Sequence, residues 1–157
     1  QHGEEPEHGV DEGYSPLGVY GQTKAAGDAV VSTVPRHYIV RTSWVIGDGN
    51  NFIATMQELA EQDVAPEVVD DQVGRLTFTS DLAAAIVQLL TERAPYGVHN
   101  VTSGGEPQSW YEIARNVFKD SGHDPDRVSP TSTNEYGKGR NLAPRPRNSS
   151  LRPNVPE

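Results

Sequence analysis

Tyr20 and Lys24 stand four residues apart in Tyr20-Gly21-Gln22-Thr23-Lys24. On a helix that spacing puts a phenol and an ammonium on one face, a turn apart. A fixed cation beside a phenol favours the phenolate and moves its pKa toward the range useful for proton transfer. A Tyr so placed can give its proton to a carbonyl oxygen while hydride reaches the carbon, which is how a ketone is reduced. The Lys can also hold cofactor hydroxyls. Taken alone, the pair reads as well as a surface i,i+4 contact. Two other groups offer chemistry. Asp70-Asp71-Gln72 contains a carboxylate pair suited to a metal or to acid–base work, and His2 and His8 have carboxylates between them. Gly3, Pro6 and Gly9 give that second group no regular scaffold to fix ligand geometry, so a solvated segment is the stronger reading.

The elements that must position these residues follow from periodicity. Leu17–Val34 reads as a helix with Val19, Ala26, Ala29 and Val30 as its buried stripe, ended by Pro35. His37–Arg41 is a β-branched and aromatic run, a buried strand. Thr42, Ser43 and Trp44 therefore lie at a strand's end, where open α/β sheets meet ligands. Gly47–Asn51 is a polar loop, and Phe52–Glu61 a second helix. Val68–Val69 and Leu76–Phe78 are short strands around a turn. Ser80 is the expected N-cap of a helix running to Leu90, with Asp81 in its first turn. Gly97–Val101 is a further strand. Ser109 and Glu112 form a capping box opening a helix to about Asp120, stopped by Gly122. Beyond Pro130 the chain is irregular. Helices alternate with short strands, so the class is α/β.

Composition narrows the function. Thirteen Lys+Arg against 22 Asp+Glu give a net charge of −9, which argues against broad binding to nucleic acid or an anionic membrane. There is no cysteine, hence no disulfide, thiolate nucleophile or Cys-ligated zinc. No apolar run approaches the roughly 20 residues that span a bilayer. A soluble, cytoplasmic protein is the expectation.

Five blocks in order then carry a resemblance: the YGxxK segment, RTSWV followed by GNNF, the DDQ-x-G element, SWYE, and the terminal RPxNSxL. Together they resemble the dTDP-4-dehydrorhamnose reductases of the extended short-chain dehydrogenase/reductases, from about Tyr14 to Leu151. The resemblance is to the second half of that family's chain. The 15 glycines never form the Gly-rich phosphate loop that opens a dinucleotide-binding domain. The expectation is a C-terminal piece of a longer reductase, inactive by itself. It comprises an acidic lead-in (1–13), the catalytic helix and following strand of the Rossmann-like domain (14–48), and a small substrate-binding lobe (49–157). That lobe includes returning Rossmann elements at about 80–101 and an irregular basic tail.

The resemblance implies roles residue by residue. Tyr20 would protonate the C4 keto oxygen of a dTDP-sugar, and Lys24 would tune Tyr20 and bond the nicotinamide ribose of NADPH or NADH. Thr42 and Ser43 would meet the nicotinamide end. Trp44 would pack on the deoxysugar, or serve as a core aromatic. Asn50, Asn51 and Phe52 divide between loop structure and substrate shaping, with Asn51 the substrate candidate. Asp70–Gln72 reads as a structural turn with some substrate-side contact, because the family's chemistry needs no carboxylate acid; no metal site is expected in this chain. Trp110 and Tyr111 would pack the lobe. Arg145 and Arg147 suit a nucleotide diphosphate, or form a solvated or salt-bridged tail. The sequence departs from the family at Arg75-Leu76, where Pro is frequent, and at the apparent insertion Gly137–Arg140. A non-catalytic regulatory subunit and another sugar-nucleotide epimerase or reductase are the alternatives. Homo-oligomerisation, or association through exposed core faces, is the expected partnering.

Overall fold

Short strands pair across long stretches of sequence, and helices pack beside them. A computed structural model describes residues 6–155. In chain order the elements are α1 (Val19–Val31), β1 (Tyr38–Arg41), β2 (Val45–Ile46), α2 (Phe52–Glu61), β3 (Glu67–Val69), β4 (Val73–Gly74) and β5 (Thr77–Phe78). They continue with α3 (Thr79–Thr91), β6 (Gly97–Asn100), β7 (Gln108–Ser109), α4 (Trp110–Asp120), β8 (Ser129–Thr131) and α5 (Thr133–Tyr136). β1–β6, β2–β5 and β3–β8 are parallel pairs, and β4–β7 is antiparallel.

Helices α2 and α4 begin where local chemistry dictates. Asn51 caps α2 by accepting from the Ala54 amide at 3.0 Å. The Ser109–Glu112 box caps α4 from both directions. Gly122, at φ +80°, supplies the left-handed residue that ends α4. The two helices pack on β3 around Met56, Ala60, Val68, Ile113, Ala114, Val117, Phe118 and Val128, the main apolar core. Burying this α4 stripe, rather than helix propensity, holds the lobe together.

Two expectations change. Ser80 is not the N-cap of α3, because β5 runs directly into the helix and Phe78 occupies the cap position. The Phe78 amide is instead satisfied by Ser103 Oγ at 2.9 Å, and Ser103 donates to Asp81 at 2.5 Å. The expected buried stripe of α1 is open: none of its residues is buried, and Val19 and Val30 are 76% and 69% exposed. No described residue packs over that face closely enough to bury it.

The acidic lead-in is tied into the fold over its described part. His8 donates its amide to the Ser150 carbonyl at 2.8 Å, and Arg152 donates to the His8 carbonyl at 3.0 Å. Asn100, fully buried at the end of β6, donates its carboxamide to the His8 and Arg152 carbonyls at 3.0 and 3.1 Å. Arg75 pairs with Glu7 and donates to the Leu151 carbonyl at 3.3 Å. His8 also contacts Glu12 at 2.7 Å; His2, Glu4 and Glu5 lie outside the described residues. Among the described residues no group of three or more His, Asp or Glu has a metal-holding arrangement, and no helix is long and apolar enough to cross a membrane.

Candidate functional site

Helix α1 carries Tyr20 and Lys24 on one face, with the Lys24 ammonium 5.7 Å from the centre of the Tyr20 ring. The ring is 76% exposed. Three side chains join α1 to β1: Asp28 on the helix accepts from Tyr14 at 2.5 Å and from Arg41 at 3.4 Å. Burial, then the hydrogen bond to Asp28, pushes the Tyr14 phenol pKa up, so Tyr14 stays a proton donor in this contact. At its N-terminus α1 approaches the tail, since a Cβ on Gly18 would lie 3.8 Å from Pro144 Cδ.

Thr42, Ser43 and Trp44 lie at the carboxyl end of β1, as their place in the sequence predicts. Thr42 Oγ1 is buried and has no hydrogen-bond partner; Thr102 Oγ1, beyond the paired end of β6, shares that condition. A buried hydroxyl without a protein partner has a bond to offer to a water or to a bound group. Ser43 is held on both sides, its Oγ donating to the Arg75 carbonyl at 3.2 Å and its carbonyl accepting from Thr77 Oγ1 at 2.7 Å. Trp44 adopts φ +44°, a left-handed conformation costly for a bulky residue, on the order of 1–3 kcal/mol. The Thr77 amide fixes it by donating to the Trp44 carbonyl at 3.1 Å. The Trp44 indole stacks on Trp110, with centroids 3.8 Å apart and planes 16° from parallel. Phe52 leans on the other member of that stack at 4.6 Å.

Trp110 and Phe52 also form part of the wall of a cavity of about 710 Å³ between α2, β3, α5 and the tail. Arg145 lines it, together with Arg140, Tyr136, Gln72 and Glu67. The Arg140 guanidinium lies over the Tyr136 ring at 4.2 Å. Guanidinium groups beside aromatic faces suit an anionic ligand with a flat ring.

From the Asp70–Gln72 turn, Gln72 lines the cavity, as does Thr133. Asp71 accepts from the Thr133 amide at 2.8 Å and from its hydroxyl at 2.5 Å. Gln72 donates to the same hydroxyl at 3.0 Å. Burial, the largest single influence, pushes the Asp71 pKa up, but the Thr133 hydrogen bonds, a backbone amide of the turn and the Arg147 charge together outweigh it and hold the carboxyl below the ordinary carboxylate range. A depressed folded-state pKa stabilises the fold above the unfolded value, and that contribution disappears as pH falls through the folded one. Asp71→Ala is therefore expected to cost about 1–3 kcal/mol at neutral pH, measured by urea unfolding. The gap between wild type and variant should narrow below the usual carboxylate range, where only the neutral hydrogen bonds to Thr133 remain. An undiminished gap in acid would show that the Asp71 charge is not responsible.

The structure thus brings Trp44 and Arg145 to a shared wall, Trp110, and sets Tyr20 with Lys24. It does not bring Asn51 to the cavity. The Asn51 carboxamide is occupied by the loop, donating to the Gly47 and Gly49 carbonyls at 2.7 and 3.0 Å while capping α2. Arg147 contributes its backbone, the carbonyl accepting from the Val73 amide at 2.7 Å. The sequence alone suggests lobe packing for Trp110 and an insertion around Arg140. The signal for Trp110 is the capping box, which puts it at the first position of α4, at that helix's tip.

The profile described as "RmlD substrate binding domain" matches residues 2–155. The chain belongs to that family. Named reductases are also similar to this chain. It is 41% identical over 140 residues to "dTDP-4-dehydrorhamnose reductase" of Mycolicibacterium smegmatis, covering 87% of this chain and 42% of that protein. It is 44% identical over 134 residues to "dTDP-4-keto-6-deoxy-D-glucose reductase" of Streptomyces niveus, covering 83% and 46%. A crystal structure of dTDP-4-dehydrorhamnose reductase from Bacillus anthracis in complex with NADP superposes with a TM-score of 0.85 at 34% identity. That match covers 97% of this chain and 53% of the other. The RmlD domain seen here therefore has the α/β architecture of part of a Rossmann-like extended short-chain dehydrogenase/reductase. The chain spans about half the length of the curated relatives it matches.

Proposed function

We propose that the protein carrying this chain is an NAD(P)H-dependent reductase converting dTDP-4-dehydro-β-L-rhamnose to dTDP-β-L-rhamnose, the last step of dTDP-rhamnose biosynthesis. The observation that carries this reading is the Tyr20–Lys24 pair on one face of α1, in a chain of this family. Tyr20 Oη donates its proton to the C4 oxygen as the ketone becomes an alcohol. Lys24 favours the phenolate left behind and bonds the cofactor's ribose. The nicotinamide, when bound, supplies the hydride. The partnerless Thr42 hydroxyl at the end of β1 fits that end of a dinucleotide, with Ser43 beside it. Trp44 carries the deoxysugar, and Arg145 and Arg140, with the aromatic wall, receive the nucleotide. Asn51 supports the site by shaping the loop before Phe52. We assign the enzyme to the cytoplasm.

A second reading rests on the Streptomyces niveus relative: the same proton and hydride chemistry applied to a different dTDP-4-keto sugar. Assay of the intact protein with each sugar, following loss of NADPH or NADH, separates the two. Turnover of dTDP-4-dehydrorhamnose is expected. No oxidation of either cofactor would overturn the reading in favour of a non-catalytic role, and turnover of the other sugar alone would favour the second.

The isolated 157 residues are expected to bind NADPH negligibly, show no reductase activity and self-associate. Their Gly-rich loop is absent, and α1 and α3 expose Val19, Val30, Val87 and Leu90. Calorimetry and light scattering test this. Micromolar NADPH binding by a clean monomer would contradict it.

A further inference from the structure

We propose that Gly74 and Trp110 are the positioning residues that hold the Trp44 indole, and that Trp110 couples that indole to the cavity beside it. The proposal rests on the functional reading above for what Trp44 carries, and on geometry alone for what holds it.

Trp44 does not line the 710 Å³ cavity, but Trp110 does, and the two indoles lie face to face. Trp110 is thus a wall common to a seat on Trp44 and a seat in the cavity. A ligand with a sugar at one and a nucleotide at the other meets Trp110 between them. The arrangement is built from β4 and β7. Their antiparallel pairing sets Gly74 opposite Gln108 and Val73 opposite Ser109, so Gly74 lies across the ladder from the start of α4. A Cβ on buried Gly74 would fall 2.7 Å from Trp44 Cε2 and 2.8 Å from Cζ2. Glycine is therefore required there for close approach of a rigid ring, not for its backbone angle.

A tryptophan serving only as core filling needs no left-handed backbone. Trp44 has one, over-determined by Thr77 and Ser43, which fits a side chain held in one orientation at a functional site. The aromatic stack completes the constraint from the side opposite in sequence, 66 residues along the chain (110 − 44).

The test uses the intact protein with Trp110→Leu, Trp110→Phe and Gly74→Ala. Stacked indoles give an exciton couplet in circular dichroism. Wild type minus Trp110→Leu is expected to contain that couplet, and Gly74→Ala, which keeps both indoles, is expected to weaken it. Trp110→Leu and Gly74→Ala should each raise KM for the sugar nucleotide about tenfold, the size of one aromatic contact, with KM for NADPH unchanged. Trp110→Phe, which retains a flat ring, should restore most of the sugar KM. A purely structural Trp110 would lower the melting temperature and leave the sugar KM alone, which would overturn the proposal. Absence of the couplet from wild type would overturn it too. Should Trp110→Leu fail to fold, Gly74→Ala decides by the same readouts. A wild type with the couplet but no turnover overturns the functional reading, and with it the role toward the sugar, while a missing couplet in an active enzyme overturns this proposal alone.

Discussion

Tyr20→Phe in the intact protein is expected to lower kcat by about 10²–10⁴-fold, the usual contribution of a positioned general acid. The substitution keeps the ring and its contact with the Lys24 ammonium and removes only the transferable proton. Because the phenol acts on the reacting oxygen, the loss should appear in kcat with little change in sugar-nucleotide affinity. Steady-state kinetics with NADPH and the 4-keto sugar measure both. Near-normal turnover would remove Tyr20 from the mechanism and leave the Tyr–Lys pair a surface contact. Tyr20 is so exposed in this chain that its truncation should not disturb the fold, and a change in melting temperature would itself be informative.

Phe118→Ala is expected to cost about 3–5 kcal/mol, the range for removing a fully buried aromatic. Phe118 has no exposed surface and lies at the centre of the α2–α4 core. Its ring also faces the Arg127 guanidinium at 5.4 Å. That Arg127 reaches back to the Ala60 and Val64 carbonyls at 3.3 and 3.0 Å, closing the end of α2. The substitution therefore opens a cavity and loosens a cation that ties α2 to the stretch before β8. Against total stabilities of roughly 5–15 kcal/mol, such a loss is severe. Urea unfolding should show a lower midpoint at similar slope. A loss under about 1 kcal/mol would mean that the core repacks freely around the gap.

How much of this was legible in the sequence depended on range. Helix α2 was readable from the helical spacing of Phe52, Ile53, Met56, Leu59 and Ala60, and α4 to its boundaries because Ser109, Glu112 and Gly122 act within one turn of where they stand; the cap by Asn51 was not legible. The strand His37–Arg41 was readable as a β-branched run, and the placement of Thr42 to Trp44 followed. Strands β2, β4 and β7 were not, since two residues carry no period and each exists only through a partner distant in sequence. Ser80 misled because it has the chemistry of a cap, while β5 had already set the direction of α3. Pro130 suggested irregular chain, yet it lies in β8 opposite Val68, where its missing amide is tolerable in a two-stranded ladder. The site divides in the same way. Tyr20 and Lys24 form a local pair and were visible. The wall joining Trp44, Trp110 and Arg145 spans a hundred residues, and no spacing rule reports it. Arg140 looked like part of an insertion because its partner, the Tyr136 ring, becomes meaningful only beside the cavity.

The fastening of residues 7 and 8 to residues 151 and 152 bears on how fast the fold is made and lost. That fastening runs partly through intermediaries, whose hydrogen bonds join positions 92 residues apart at Asn100 and His8 and 76 at Arg75 and Leu151, and beside it Asn148 donates to the Pro6 carbonyl 142 residues away. Closing such loops costs entropy that local helices never meet, so these contacts are expected to form late, after α2 and α4 have found each other. Interactions absent from the folding barrier leave the refolding rate alone and govern escape from the native state. Asn100 and Arg75 are thereby expected to act as a brake on unfolding. Asn100→Ala should speed unfolding and leave the refolding rate nearly unchanged, and a slowed refolding rate instead would place this clasp in the folding barrier.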